Sequence, residues 1–167
     1  MRVEEVKGEL VIVDFDEMEA YKIACKIEKD GIEFYQRLLS KFTPENDKAK
    51  KILSFLLNEE YEHLKFFEES LFRLRQKKEE DSEDEDILTS MDYGIFYAYQ
   101  NIKELQAILD EPAKALRLGI AIEEKSIKFY ECCRGHVTSG EVKQELAVII
   151  DEEAKHKEAL ADMVDHI

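Results

Sequence analysis

Six side chains in this 167-residue sequence have the type and spacing to bind metal ions. Glu60 and His63 form one Glu-x-x-His pair, Glu153 and His156 form another, and Glu28 and Glu123 stand on separate stretches. Residues three apart on a helix project to nearly the same side, one turn from each other. Each pair can therefore offer a carboxylate oxygen and an imidazole nitrogen together, a ligand mixture suited to divalent first-row metals. At about 100° per residue, positions three, four and seven away lie within about 60° of a reference residue. Around Glu28 those positions hold Tyr21, Ala24, Cys25, Gly31, Ile32 and Tyr35, and around Glu60 they hold Leu53, Leu56, Leu57, His63, Leu64 and Phe67. Around Glu123 they hold Leu116, Gly119, Ile120, Ser126, Ile127 and Tyr130, and around Glu153 they hold Leu146, Ile149, Ile150, His156, Lys157 and Leu160. Each glutamate thus sits near the middle of a largely apolar stripe, with Lys157 as the main exception.

Four carboxylates facing one core cannot all stay ionised without compensation. An unpaired buried charge costs on the order of several kcal/mol, and like charges raise one another's pKa values further. Two dipositive ions with neutral imidazoles would balance the set, four negative charges against four positive. The competing reading, a solvated and salt-bridged helix face, does not place glutamates among leucines. Glu124 competes with Glu123 but points about 100° away, off the stripe.

Four long helices are expected to carry these residues, over approximately 16–42, 44–77, 111–134 and 139–165. Thr43-Pro44-Glu45 and Asp110-Glu111-Pro112 both read as helix starts, with a cap, a proline in the first turn and an acid near the positive end of the helix dipole. Gly135 is placed to stop the third helix, and Ser139 or Thr138 to start the fourth. Short turns make helices 1 and 2, and helices 3 and 4, antiparallel hairpins. The chain also repeats itself. Residues 26–35 match 121–130 at five of ten positions, and Leu56–His63 matches Ile149–His156 in pattern. Two similar hairpins packed together give an all-α four-helix bundle with approximate two-fold symmetry, joined by a long crossover over 79–110. The expected organisation is an N-terminal arm over 1–15, with a small strand in 9–13, followed by the bundle over 16–167. The acidic run Glu79–Asp86 reads as solvated loop, and the aromatic stretch Tyr93–Tyr99 as a short packed helix in the crossover.

One Glu from each of two helices plus Glu-x-x-His from each of the other two is the ligand set of di-iron and di-manganese carboxylate bundles. On these residues the sequence resembles the rubrerythrin branch of the ferritin-like superfamily over about residues 18–165. The resemblance implies a ferritin-like fold and a metal centre of Glu28, Glu60, His63, Glu123, Glu153 and His156, with Glu60 and Glu153 as bridges. It implies two Fe ions as cofactor, with Mn or Zn able to take their place. It also implies a di-iron oxidoreductase of peroxidase or oxidase type, reacting with peroxide or dioxygen in oxidative-stress defence, and a homodimer. Rubrerythrins carry a four-cysteine rubredoxin domain, whereas this chain has three cysteines, so an external electron donor such as a rubredoxin-type protein is expected. They also carry a further carboxylate three residues after the helix 3 ligand. Here that position is Ser126, mirrored by Gly31, and the two small residues are read as making room for dioxygen or peroxide. Ferritin-like iron oxidation and storage, and a redox-inert di-metal bundle, are the alternative functions.

Composition narrows the field. With 24 basic against 39 acidic residues the net charge is −15, seven of those acids falling in residues 79–86. A chain so acidic, with no basic stripe, is a poor partner for nucleic acid or an anionic membrane. The longest apolar runs, Ile95–Tyr99 and Leu146–Ile150, are five residues, too short to span a bilayer. The acidic start, Met1-Arg2-Val3-Glu4-Glu5, does not resemble a secretory signal, so a cytoplasmic location is expected. Cys25, Cys132 and Cys133 offer no disulfide framework, and Cys25 reads as a buried structural thiol. Tyr35 and Tyr130, two turns from Glu28 and Glu123 on the same faces, read first as core residues with satisfied hydroxyls, the alternatives being hydrogen bonds to ligand carboxylates or electron relay.

Overall fold

The computed structural model describes residues 2–6, 9–14, 16–42, 47–78 and 107–166. Four helices dominate it: α1 (Glu17–Lys41), α2 (Asp47–Lys78), α3 (Pro112–His136) and α4 (Gly140–Val164). Ahead of them, β1 (Arg2–Val6) and β2 (Glu9–Asp14) pair as an antiparallel hairpin, so the expected strand in 9–13 is present and has a partner. The expected crossover helix and aromatic stretch fall in residues outside those described, as does the Thr43-Pro44-Glu45 start of α2.

Local chemistry sets the helix ends. Asp16 caps α1 through a reciprocal box, its carboxylate accepting from Glu19 N–H at 2.8 Å while the Glu19 carboxylate accepts from Asp16 N–H at 3.0 Å. Pro112 opens α3 as expected, but the Glu111 side chain makes no cap bond and pairs with Lys114 instead. Ser139 caps α4, accepting from Val142 N–H at 3.4 Å. Gly135 does not stop α3, which runs on to His136 and then turns to extended backbone at Val137. Val137 is buried, so apolar packing of that side chain, and not a left-handed glycine, fixes the exit.

The helices pair α1 with α2 and α3 with α4, and the two hairpins meet along α1–α3 and α2–α4. Cross-contacts show each neighbour antiparallel. Lys29 meets Glu68 while Gln36 meets Tyr61, and Tyr35 reaches Glu123 while Tyr130 reaches Glu28. With α2 and α3 consequently parallel, the end of α2 and the start of α3 lie at opposite ends of the bundle. Among the described residues no helix is long and apolar enough to cross a membrane.

The core takes its apolar residues from all four helices, with Phe34, Leu38, Leu53, Leu116, Leu146 and Leu160 completely enclosed. Each such residue contributes roughly 1.5–3 kcal/mol. One uncompensated charge in their midst would cancel the gain from about two of them. Six acidic and basic side chains nevertheless lie at the level between those residues.

Candidate metal centre

Glu28 comes from α1, Glu60 and His63 from α2, Glu123 from α3, and Glu153 and His156 from α4. Burial matches the stripe argument, none of the six being more than 3% exposed. They form two overlapping quartets, Glu28–Glu60–His63–Glu153 and Glu60–Glu123–Glu153–His156. In each quartet one potential ligand atom per residue lies within 4.8 Å of the others, and Glu60 and Glu153 belong to both. The two imidazoles stack across the centre with ring centroids 5.8 Å apart.

Nitrogens and oxygens converge there without satisfying one another. His63 Nδ1 stands 3.3 Å from Glu153 Oε1 and 3.7 Å from Glu28 Oε2. His156 Nδ1 stands 3.0 Å from Glu153 Oε2, 3.2 Å from Glu60 Oε1 and 3.9 Å from Glu123 Oε1. Both Nδ1 atoms, together with Glu28 Oε2, Glu60 Oε1 and Glu153 Oε2, are buried with no hydrogen-bond partner. Orphaned polar atoms are uncommon in folded interiors, and five of them aimed at a shared region is the donor set a pair of divalent cations requires.

The far side of each imidazole is held from the opposite hairpin. His63 Nε2 lies 3.0 Å from Glu152 Oε2 on α4, and His156 Nε2 lies 3.1 Å from Glu59 Oε2 on α2. A carboxylate only accepts, so Nε2 carries a proton, and each imidazole, once neutral, would turn its Nδ1 lone pair inward. This carboxylate–histidine arrangement orients metal-binding imidazoles and raises their basicity. Sequence reasoning missed Glu59 and Glu152 because they lie off the apolar stripes. The signal was the doubled acid, Glu59-Glu60 and Glu152-Glu153, at matching places in the repeat.

Tyr35 and Tyr130 turn out to be donors as well as core residues. Tyr35 donates to Glu123 and Tyr130 to Glu28, each reaching the glutamate of the other hairpin and not the one on its own helix. Burial, reinforced by the adjacent carboxylates, raises both phenols well above their ordinary value, so they remain donors. Cys25 is buried as expected and its thiol is pushed up to about 12, chiefly by burial, which makes it a poor nucleophile or ligand. Burial likewise raises the thiol of Cys133, whereas Cys132 is exposed.

Without cations, protons must hold this cluster together. Burial first, then the negative charges of Glu153 and Glu28, raises the Glu60 carboxyl well above its usual range. Burial and the charges of Glu153 and Glu60 do the same to Glu123. Glu28 is raised too, mainly by burial, against the pull of His63. Burial disfavours charge on His63, but the carboxylates of Glu153 and Glu28 outweigh it and hold the imidazole up at about 12. His156 is raised against burial by Glu153 and Glu123, and Glu153, flanked by both imidazoles, is lowered despite its burial. Cations would therefore displace protons from the cluster.

No protein-family model and no curated protein matches the chain. The chain is similar to a solved structure from Thermotoga maritima, described provisionally as a ferritin-like diiron-carboxylate protein. The TM-score is 0.64 at 18% identity, over 93% of this chain and 98% of that one. The architecture is accordingly a ferritin-like four-helix bundle of two hairpins, with buried Glu and His clusters at its centre.

Proposed function

We propose that the protein is a rubrerythrin-like di-iron protein in which Glu28, Glu60, Glu123 and Glu153, with His63 and His156, hold two metal ions. Glu60 and Glu153, common to both quartets, would bridge them, and Glu28 with His63 and Glu123 with His156 would complete the two ends. The observation that carries this reading is the convergence of orphaned ligand atoms: each would gain a partner on metal binding, and two dipositive ions balance four carboxylates. Iron is the proposed cofactor, and Mn or Zn would fit the same mixed ligands.

When bound and reduced, the iron pair would supply two electrons to the O–O bond of peroxide, which with two protons yields two molecules of water. The chain's own residues prepare the place for this. Glu59 and Glu152 fix the imidazoles so that Nδ1 faces inward, and Tyr35 and Tyr130 hold Glu123 and Glu28 by hydrogen bonds. The surrounding leucines and aromatic rings keep bulk water out, which strengthens every electrostatic interaction at the centre. Dioxygen is the alternative oxidant, an external rubredoxin-type protein the proposed electron donor, and a cytoplasmic homodimer the proposed form.

Elemental analysis with metal titration is the first test. Two ions per chain are expected, with sharp loss of occupancy in E60A and E153A; undiminished binding in both variants would overturn the ligand assignment. Anaerobic addition of peroxide to the ferrous protein should then oxidise both irons at one peroxide per chain. A peroxide-inert centre would refute the redox role, and iron uptake far beyond two per chain in a large oligomer would favour storage.

A further inference from the structure

The two halves of the centre match in every functional position except one. Three residues after Glu123, Ser126 is buried and its Oγ donates to the Ile122 carbonyl at 3.3 Å. The corresponding residue after Glu28 is Gly31, in the middle of α1. Its backbone is ordinary helix, so no left-handed conformation calls for glycine there. A glycine inside a helix is less favourable than alanine, and something must compensate. The compensation is local. A Cβ at position 31 would lie 2.5 Å from Glu60 Oε2 and 3.2 Å from Glu60 Cδ. The space of the missing methyl is filled by the Glu60 carboxylate, so it is not the opening for dioxygen or peroxide that the small residue suggests in the sequence.

We propose that Gly31 is a positioning residue for Glu60. It lets that carboxylate lie against the α1 backbone, where it belongs to both quartets. The proposal rests on the two-metal reading above and adds a determinant of metal affinity that contributes no ligand atom. It differs from Gly119, where an added Cβ would meet enclosed apolar side chains packed between the helices, Leu160 at 2.9 Å and the Phe34 ring at 3.0 Å. At Gly31 the obstructed atom is the far end of a flexible side chain. In the metal-free protein Glu60 can shift at small cost to the fold. In the metal-bound protein the same displacement removes a shared ligand from its place.

The G31A variant should therefore act with opposite signs on the two states. Metal-free G31A should melt at the wild-type temperature or up to about 4 °C above it, from the helix preference of alanine. Its affinity for Co(II), read by calorimetry, should fall about 10–100-fold, the range seen when support for a metal ligand is lost. The visible d–d spectrum of the Co(II) protein should change as well, because the ligand geometry differs. Equal Co(II) affinity and spectra in the two proteins would overturn the proposal, as would a lowered melting temperature of metal-free G31A, which would make Gly31 a packing residue. A wild-type protein that takes up no Co(II) would overturn the two-metal reading and this proposal with it. A wild type that binds two ions beside a G31A that binds them equally well overturns only the role of Gly31.

Discussion

Replacing Glu60 by Gln in metal-free protein should change stability by an amount that depends on pH. The folded protein holds this carboxyl well above its ordinary 4.5 because of burial and the nearby charges of Glu153 and Glu28. A group raised on folding contributes its stability fully below the unfolded pKa and loses it as pH climbs through the folded value. In the window above about pH 4.5, the native state keeps a proton that the unfolded chain has released. Stability then falls by about 1.4 kcal/mol per pH unit for each such proton. Glutamine has the shape of the protonated acid and no proton to lose, so E60Q lacks this slope. Subtracting the two stability curves removes the surface acids common to both proteins. Above about pH 4.5, E60Q should gain on the wild type with each pH unit over which the native carboxyl keeps its proton, by about 1.4 kcal/mol or roughly 3–6 °C in Tm per unit. Urea denaturation of chelator-treated protein at several pH values measures it. A difference that stays flat with pH would mean that Glu60 ionises alike in both states, and the burial argument for the centre would fail.

Four other substitutions test the surroundings. E59A and E152A should each weaken metal binding about 10–100-fold in calorimetric titration, because each frees an imidazole held from the other hairpin; unchanged affinity would make those carboxylates incidental. Y35F should destabilise the protein by about 1–3 kcal/mol through loss of a buried donor to Glu123, with coupling in a double-mutant cycle with E123Q; simple additivity would deny the bond. G119A should lower stability by about 1–2 kcal/mol, since crowding of Phe34 and Leu160 exceeds the helix gain of about 1 kcal/mol; a more stable variant would show that those side chains can give way.

The six acidic and imidazole residues at the centre were legible in the sequence for one physical reason. A charged residue among leucines at helical spacing has nowhere to go but inward, and periodicity reveals that without coordinates. The hairpins were legible from prolines, short turns and the repeat. What periodicity cannot reveal is contact between helices distant in sequence. Glu59 and Glu152 lie about 100° from their neighbouring glutamates and look like ordinary surface acids until α2 and α4 face each other. The tyrosines were placed on the right faces, yet their partners sit across the bundle, which no single-helix projection can show. Gly31 read as vacant space because the reach of Glu60 from another helix is a tertiary fact. Gly135 read as a stop because glycine commonly ends helices, but here the burial of Val137 decides the exit.

The crossed pairing of histidine and outer carboxylate has a consequence for how this chain can change over time. Position 59 acts through position 156, and position 152 through position 63, so drift in one half of the molecule is felt by the other half's imidazole. Neither hairpin holds a finished pocket, and a slip of one against the other by a single residue would part every one of these couples at once. The centre thereby acts as a register mark, formed only when the halves dock in the right alignment.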